Sequence, residues 1–162
     1  KPKRAEGLKD AITAIEDADM IVLGPGSLYT SIIPNLLVEN IAKALQRTPT
    51  KKVYISNMMT QPGETDNYNI RHHLEAILKH CPKINIDYVI ANNGNILDHA
   101  HSKYQQEGAH LVLPTEEDRE ILRKNKIKLI DENLVEIKKH YVRHDAIKLS
   151  KIIVELGAGK KK

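Results

Sequence analysis

Apolar positions change their spacing repeatedly along this chain. Leu8, Ile12 and Ile15 recur at helical intervals, and Met20 to Leu23 then forms a short, almost uninterrupted apolar run. The alternation continues with a helix near Ser31 to Gln46, a strand from Val53 to Ser56 and a helix from Ile70 to His80. A strand from Ile86 to Ala91, a helix from Leu97 to Glu107 and a strand from His110 to Leu113 follow. Strands that are apolar at nearly every position suit burial on both faces. The pattern therefore predicts an α/β fold: a doubly wound, mostly parallel, Rossmann-like sheet with helices on both faces. Beyond Pro114 it predicts a helix over Glu116 to Lys124, a strand over Ile127 to Ile130 and an alternating edge strand over Leu134 to Tyr141. A helix from Asp145 to Leu156 stops at Gly157, leaving residues 157–162 as a disordered tail.

Three successive strands end in polar, turn-forming loops. The first loop, Gly24-Pro25-Gly26-Ser27, leads from strand to helix. Gly24 and Gly26 lack the Cβ atoms that would block close approach, and Ser27 suits the helix N-cap. Bare N–H groups at such a turn are placed to hold an anion, so the segment points to a phosphate-bearing ligand. The second loop, residues 57–67, carries Asn57, Thr60, Gln61, Gly63, Glu64, Thr65 and Asp66, with Pro62-Gly63 as a tight turn. The third is Asn92-Asn93-Gly94, whose amides suit a base or sugar edge and equally suit ordinary turn chemistry. In a parallel sheet all three open on the carboxyl edge, where doubly wound folds bind ligands.

Charge and composition narrow the classes. The 162 residues carry a formal +4, but the excess sits at the two ends, leaving residues 8–156 at a net −1. No basic stripe interleaves with aromatics, which argues against nucleic acid as a partner. No apolar run approaches the roughly 20 residues of a membrane span. The lone Cys81 excludes an internal disulfide and fits a reducing cytoplasm. None of the eight histidines has a metal-binding spacing: His72 and His73 are adjacent, and His99 and His101 diverge on a helix. No Gly-x-Ser-x-Gly elbow is present, so no catalytic residue is assigned.

Two further side chains are candidates for the ligand. Arg143, in Arg143-His144-Asp145 between the last strand and the last helix, has the planar fork that grips a diphosphate. Tyr104 suits stacking on a base or sugar, or half-buried packing on its helix. Glu64 and Asp66 suit Mg²⁺ beside a diphosphate, and equally the carboxylate enrichment of a helix start.

The strings ADMIVLGPGSLYTSIIPNLLV, NMMTQPGETDNY, YVIANNG, YQQEGA and YVRHD closely resemble the bacterial gluconeogenesis factor family, relatives of the 2-phospho-L-lactate transferases. The resemblance runs from about Leu8 onward. It implies a cytoplasmic regulator that binds UDP-sugars, notably UDP-N-acetylglucosamine, supports cell shape and growth on gluconeogenic carbon, and acts through a partner protein. Tyr104 and Arg143 match positions associated there with sugar-nucleotide binding. It also implies that these residues are the C-terminal portion of one domain whose glycine-rich loop precedes Lys1. On that view the fragment holds half a cleft and an unpaired sheet edge through which copies can associate. The transferase branch is the alternative: an enzyme moving a phospholactyl group from a nucleoside-diphosphate carrier with Mg²⁺. Against it, Gly24-Pro25-Gly26-Ser27-Leu28 departs from that branch's Gly-Pro-Ser-Asn-Pro type of turn. The Thr60 to Thr65 loop also lacks the lysine that would stabilise a transferring phosphoryl group.

Overall fold

The computed structural model describes residues 5–96, 104, 106–138 and 141–159. Helix α1 (Lys9–Asp17) leads into β1 (Ile21–Leu23), and β2 (Lys52–Ile55), β3 (Tyr88–Asn92) and β4 (Lys128–Glu132) complete a four-stranded sheet. Its order is β1-β2-β3-β4 and every pairing is parallel, with Val22 opposite Val53, Tyr54 opposite Val89 and Ile90 opposite Ile130. Sequential order with parallel pairing needs a crossover after each strand. These crossovers hold α2 (Ile33–Leu36) and α3 (Glu39–Arg47), then α4 (Ile70–His80), then α5 (Glu116–Lys124).

Strand side chains alternate between two cores, as the pleat requires. Tyr54, Val89 and Ala91 join Ile70, Leu74, Ile77 and Leu122 beneath α4 and α5. Val53, Ile55 and Ile90 face the other way, against Leu134, Val142 and Leu149. That second face is covered by an antiparallel hairpin of β5 (Val135–Lys138) and β6 (Tyr141–His144) and by the last helix, α6 (Ala146–Ala158). The expected layering, with helices on both faces of a parallel sheet, is what the chain adopts.

Four expectations change. The single helix expected near Ser31 to Gln46 is interrupted. A wide π turn (Leu28–Ile32) starts where Ser27 O accepts the N–H groups of both Ser31 and Ile32, each at 3.0 Å. Pro34, lacking an N–H, falls in the first turn of α2, and Val38 is extended before α3 begins. The stretch His110 to Leu113 is not a sheet strand: Leu111 makes one antiparallel bridge to Met59, and Val112 N–H donates to Met58 O at 3.0 Å. The presumed edge strand from Leu134 to Tyr141 is instead a hairpin, with Val135 opposite His144 and Lys138 opposite Tyr141. The last helix runs on through Gly157 to Ala158. Most of the helix expected over Leu97 to Glu107, and the tail beyond Gly159, lie outside the described residues.

Candidate functional site

The β1 turn is built as the glycines require. Gly24 has φ +97°, and a Cβ there would lie 3.2 Å from Ile55 O, so a side chain is excluded by conformation and by space. Ser27 caps the π turn, its Oγ accepting from Thr30 N–H at 3.4 Å. The same hydroxyl donates to Glu64 Oε2 at 3.0 Å, which ties the β1 turn to the loop after β2.

That second loop is closed from within. Thr65, fully buried, accepts Gln61 N–H on Oγ1 at 2.8 Å, and Gly63 turns at φ +80° while its N–H donates to Asp66 Oδ2 at 2.8 Å. Thr60 pins the neighbouring stretch: its N–H donates to His110 O at 2.8 Å, and its Oγ1 accepts His110 N–H at 2.9 Å. Two acceptors are left over. Asn57 Oδ1 and Gln61 Oε1 are buried with no partner in the protein, although buried polar atoms are normally satisfied.

These groups meet in an open cleft of about 470 Å³, bounded by Gly26, Ser27, Asn57, Gln61, Arg143 and His144. Thus the structure brings together Gly26, Ser27, Asn57, Gln61 and Arg143, which sequence had scattered over more than a hundred residues. Glu64 is tied to the cleft through Ser27, Gly24 lies outside the lining, and Thr60, Gly63 and Thr65 shape the loop. Arg143 is exposed, with no carboxylate within ion-pair distance among the described residues. A second cavity, about 280 Å³ between α4 and α5, is walled mainly by Leu74, Leu78, Ile84, Ile86 and Ile121, and its charged rim is already paired.

The third loop does something else. Asn92 is buried; its Nδ2 donates to Gly94 O at 2.7 Å, and its Oδ1 accepts from Gly94 N–H and Leu134 N–H, both at 3.0 Å. Asn93 bonds Asp131 O and Glu132 O. Neither asparagine reaches the cleft. Tyr104 is half-buried in the second core, and its hydroxyl accepts Val142 N–H at 2.9 Å, supporting the strand that carries Arg143.

His144 was not among the sequence candidates. Its Nε2 donates to Ser56 O at 3.1 Å, joining β6 to the exit of β2, and burial lowers its pKa from the usual histidine value, opposed by that bond. Neither expected carboxylate for Mg²⁺ is idle: Glu64 accepts from Ser27, and Asp66 from Gly63. Among the described residues no three acidic, histidine or cysteine side chains converge.

A parallel α/β sheet carries its ligand sites at the carboxyl edge, where this cleft lies. The chain belongs to the 2-phospho-L-lactate transferase CofD family, whose model matches residues 1–135. It is 40% identical over 155 residues to the gluconeogenesis factor of Bacillus subtilis, covering 96% of this chain and 48% of that protein. The gluconeogenesis factor of Halalkalibacterium halodurans is 40% identical over 154 residues, covering 95% and 47%. A crystal structure of a Bacillus halodurans protein superposes with a TM-score of 0.88 at 40% identity, covering 95% of this chain and 49% of that one. The chain thus spans about half the length of the curated relatives it matches.

Proposed function

We propose that the carboxyl-edge cleft binds a UDP-sugar such as UDP-N-acetylglucosamine, and that the protein is a cytoplasmic regulator relaying its occupancy to a partner protein. Its role would be to support cell shape and growth on gluconeogenic carbon. The observation carrying this reading is that Arg143, with no carboxylate within ion-pair distance among the described residues, lines the same cleft as Asn57 and Gln61, whose side-chain oxygens are unpartnered. A forked guanidinium suits a diphosphate, and buried carbonyl oxygens suit the N–H and O–H donors of a base or sugar. The relatives named gluconeogenesis factor support the physiological setting. Among the described residues no helix is long and apolar enough to cross a membrane.

The family match favours one alternative, a phospholactyl transferase using Mg²⁺ and a nucleoside-diphosphate-linked donor. Supporting regulation instead, among the described residues the cleft is lined by no lysine and no carboxylate cluster, and Arg143 is the cation there to meet charge developing on a transferring phosphoryl group. Prolonged incubation with UDP-N-acetylglucosamine and Mg²⁺ separates the two. Saturable binding with unchanged ligand is the expected result; turnover of the ligand would make the protein an enzyme.

A further inference from the structure

His144 adds a group of opposite character to the cleft that holds Arg143. A carbonyl oxygen can only accept, so the contact from Nε2 to Ser56 O, across 88 residues of chain, fixes the proton on Nε2. In the neutral ring Nδ1 is then a bare lone pair. No described residue donates to it. The burial that disfavours the charged ring keeps it in this form. The cleft is accordingly lined by three residues that each hold an acceptor no described residue uses, His144 with Nδ1, Asn57 with a buried Oδ1 and Gln61 with a buried Oε1, beside the cationic fork of Arg143.

Phosphate oxygens are acceptors themselves and gain nothing from such a wall. Hydroxyl groups do. Resting on the UDP-sugar reading above, we infer that His144 is a specificity-determining contact whose Nδ1 accepts a hydroxyl of the sugar half, so that the cleft prefers a glycosylated diphosphate to the bare one.

Two substitutions separate this role from a structural one. Gln at position 144 keeps a donor where Nε2 reaches Ser56 O but has no acceptor at the δ position; Asn restores an acceptor at the δ position without that donor. In calorimetric titrations near pH 7.5 the unaltered protein should prefer UDP-N-acetylglucosamine to UDP by about fivefold, the worth of one neutral hydrogen bond. His144→Gln should abolish that preference while leaving UDP affinity unchanged, and His144→Asn should retain much of it. The preference should also fade on acidification, at a pH below the usual histidine range because burial lowers the pKa, since protonation removes the lone pair. The charged groups on the surrounding elements are Arg143 and Glu136 on the hairpin, Asp145 and Lys148 at the start of α6, and Glu64 in the β2 loop. All are present in His144→Gln as well, so a pH response that this variant lacks belongs to His144. An unchanged preference and pH profile in His144→Gln overturns the inference, as does loss of the preference in both variants alongside a lowered melting temperature, which marks a structural residue. Failure of the unaltered protein to bind either nucleotide overturns the UDP-sugar reading itself, and this inference with it.

Discussion

The loops after β2 and β3 look alike in sequence, both opening with asparagine, rich in amides and containing a glycine turn, yet they do different work. Asn92 uses both side-chain atoms on Gly94 and Leu134, and a Cβ at Gly94 would collide with the Asn133 side chain. The β3 loop is thus a clasp between the sheet and the hairpin. In the β2 loop, Thr65 and Asp66 do the internal bonding and Thr60 ties the loop to His110, leaving Asn57 Oδ1 and Gln61 Oε1 unspent. A polar loop becomes a binding loop when some of its residues hold the backbone so that others need not.

The sharpest way to break this comparison is to truncate the clasp. Asn92→Ala leaves the N–H groups of Gly94 and Leu134 buried without acceptors, and should cost about 2–4 kcal/mol of unfolding free energy in urea. A cost under about 0.5 kcal/mol would place Asn92 among the uncommitted residues. In the β2 loop the expectation inverts. Gln61→Leu removes an unpartnered acceptor, so ligand-free stability should hold or rise slightly, while UDP-N-acetylglucosamine affinity falls roughly fivefold. Lost stability with unchanged affinity would make the two loops equivalent.

A smaller effect comes from α4, where His73 is fully buried and its Nδ1 donates to Asn69 O at 2.8 Å. Burial lowers its pKa in the folded state, with Asn69 opposing. The unfolded chain therefore takes up a proton first as pH falls below about 6.5, and stability present above that value is lost. His144 shifts in the same direction. The melting temperature should fall by roughly 2–4 °C between pH 7.5 and 5.5, less in His73→Leu. A melting temperature that rises on acidification would contradict the assignment.

Much of the architecture was legible because burial on both faces writes apolar runs into strands, such as Val53 to Ile55 within Lys52–Ile55 and Tyr88 to Ala91 within Tyr88–Asn92. Local periodicity does not report the break at Val38 or the hairpin reversal after Lys138, because apolar spacing records which side chains are buried and not what the backbone bonds to. The same reason limited the site. Gly26, Ser27, Asn57, Gln61 and Arg143, which the structure gathers at one cleft, were singled out by residue chemistry, but spent and unspent amides look identical in a sequence. His144 was visible beside Arg143, yet its role depends on a carbonyl 88 residues away.

The account turns on Arg143, a fork suited to a diphosphate with no carboxylate within ion-pair distance among the described residues. Its fork should contribute a charge-assisted interaction of roughly 1.5–3 kcal/mol to a bound diphosphate. The deciding measurement is calorimetric titration of UDP-N-acetylglucosamine into the protein and into Arg143→Ala, with a thermal melt of each in the absence of ligand. The predicted result is a loss of affinity of about 10- to 150-fold with the two melts agreeing to within about 0.5 kcal/mol. Equal affinities would contradict the claim that this cleft grips a diphosphate, and a large loss of ligand-free stability would make Arg143 part of the fold instead.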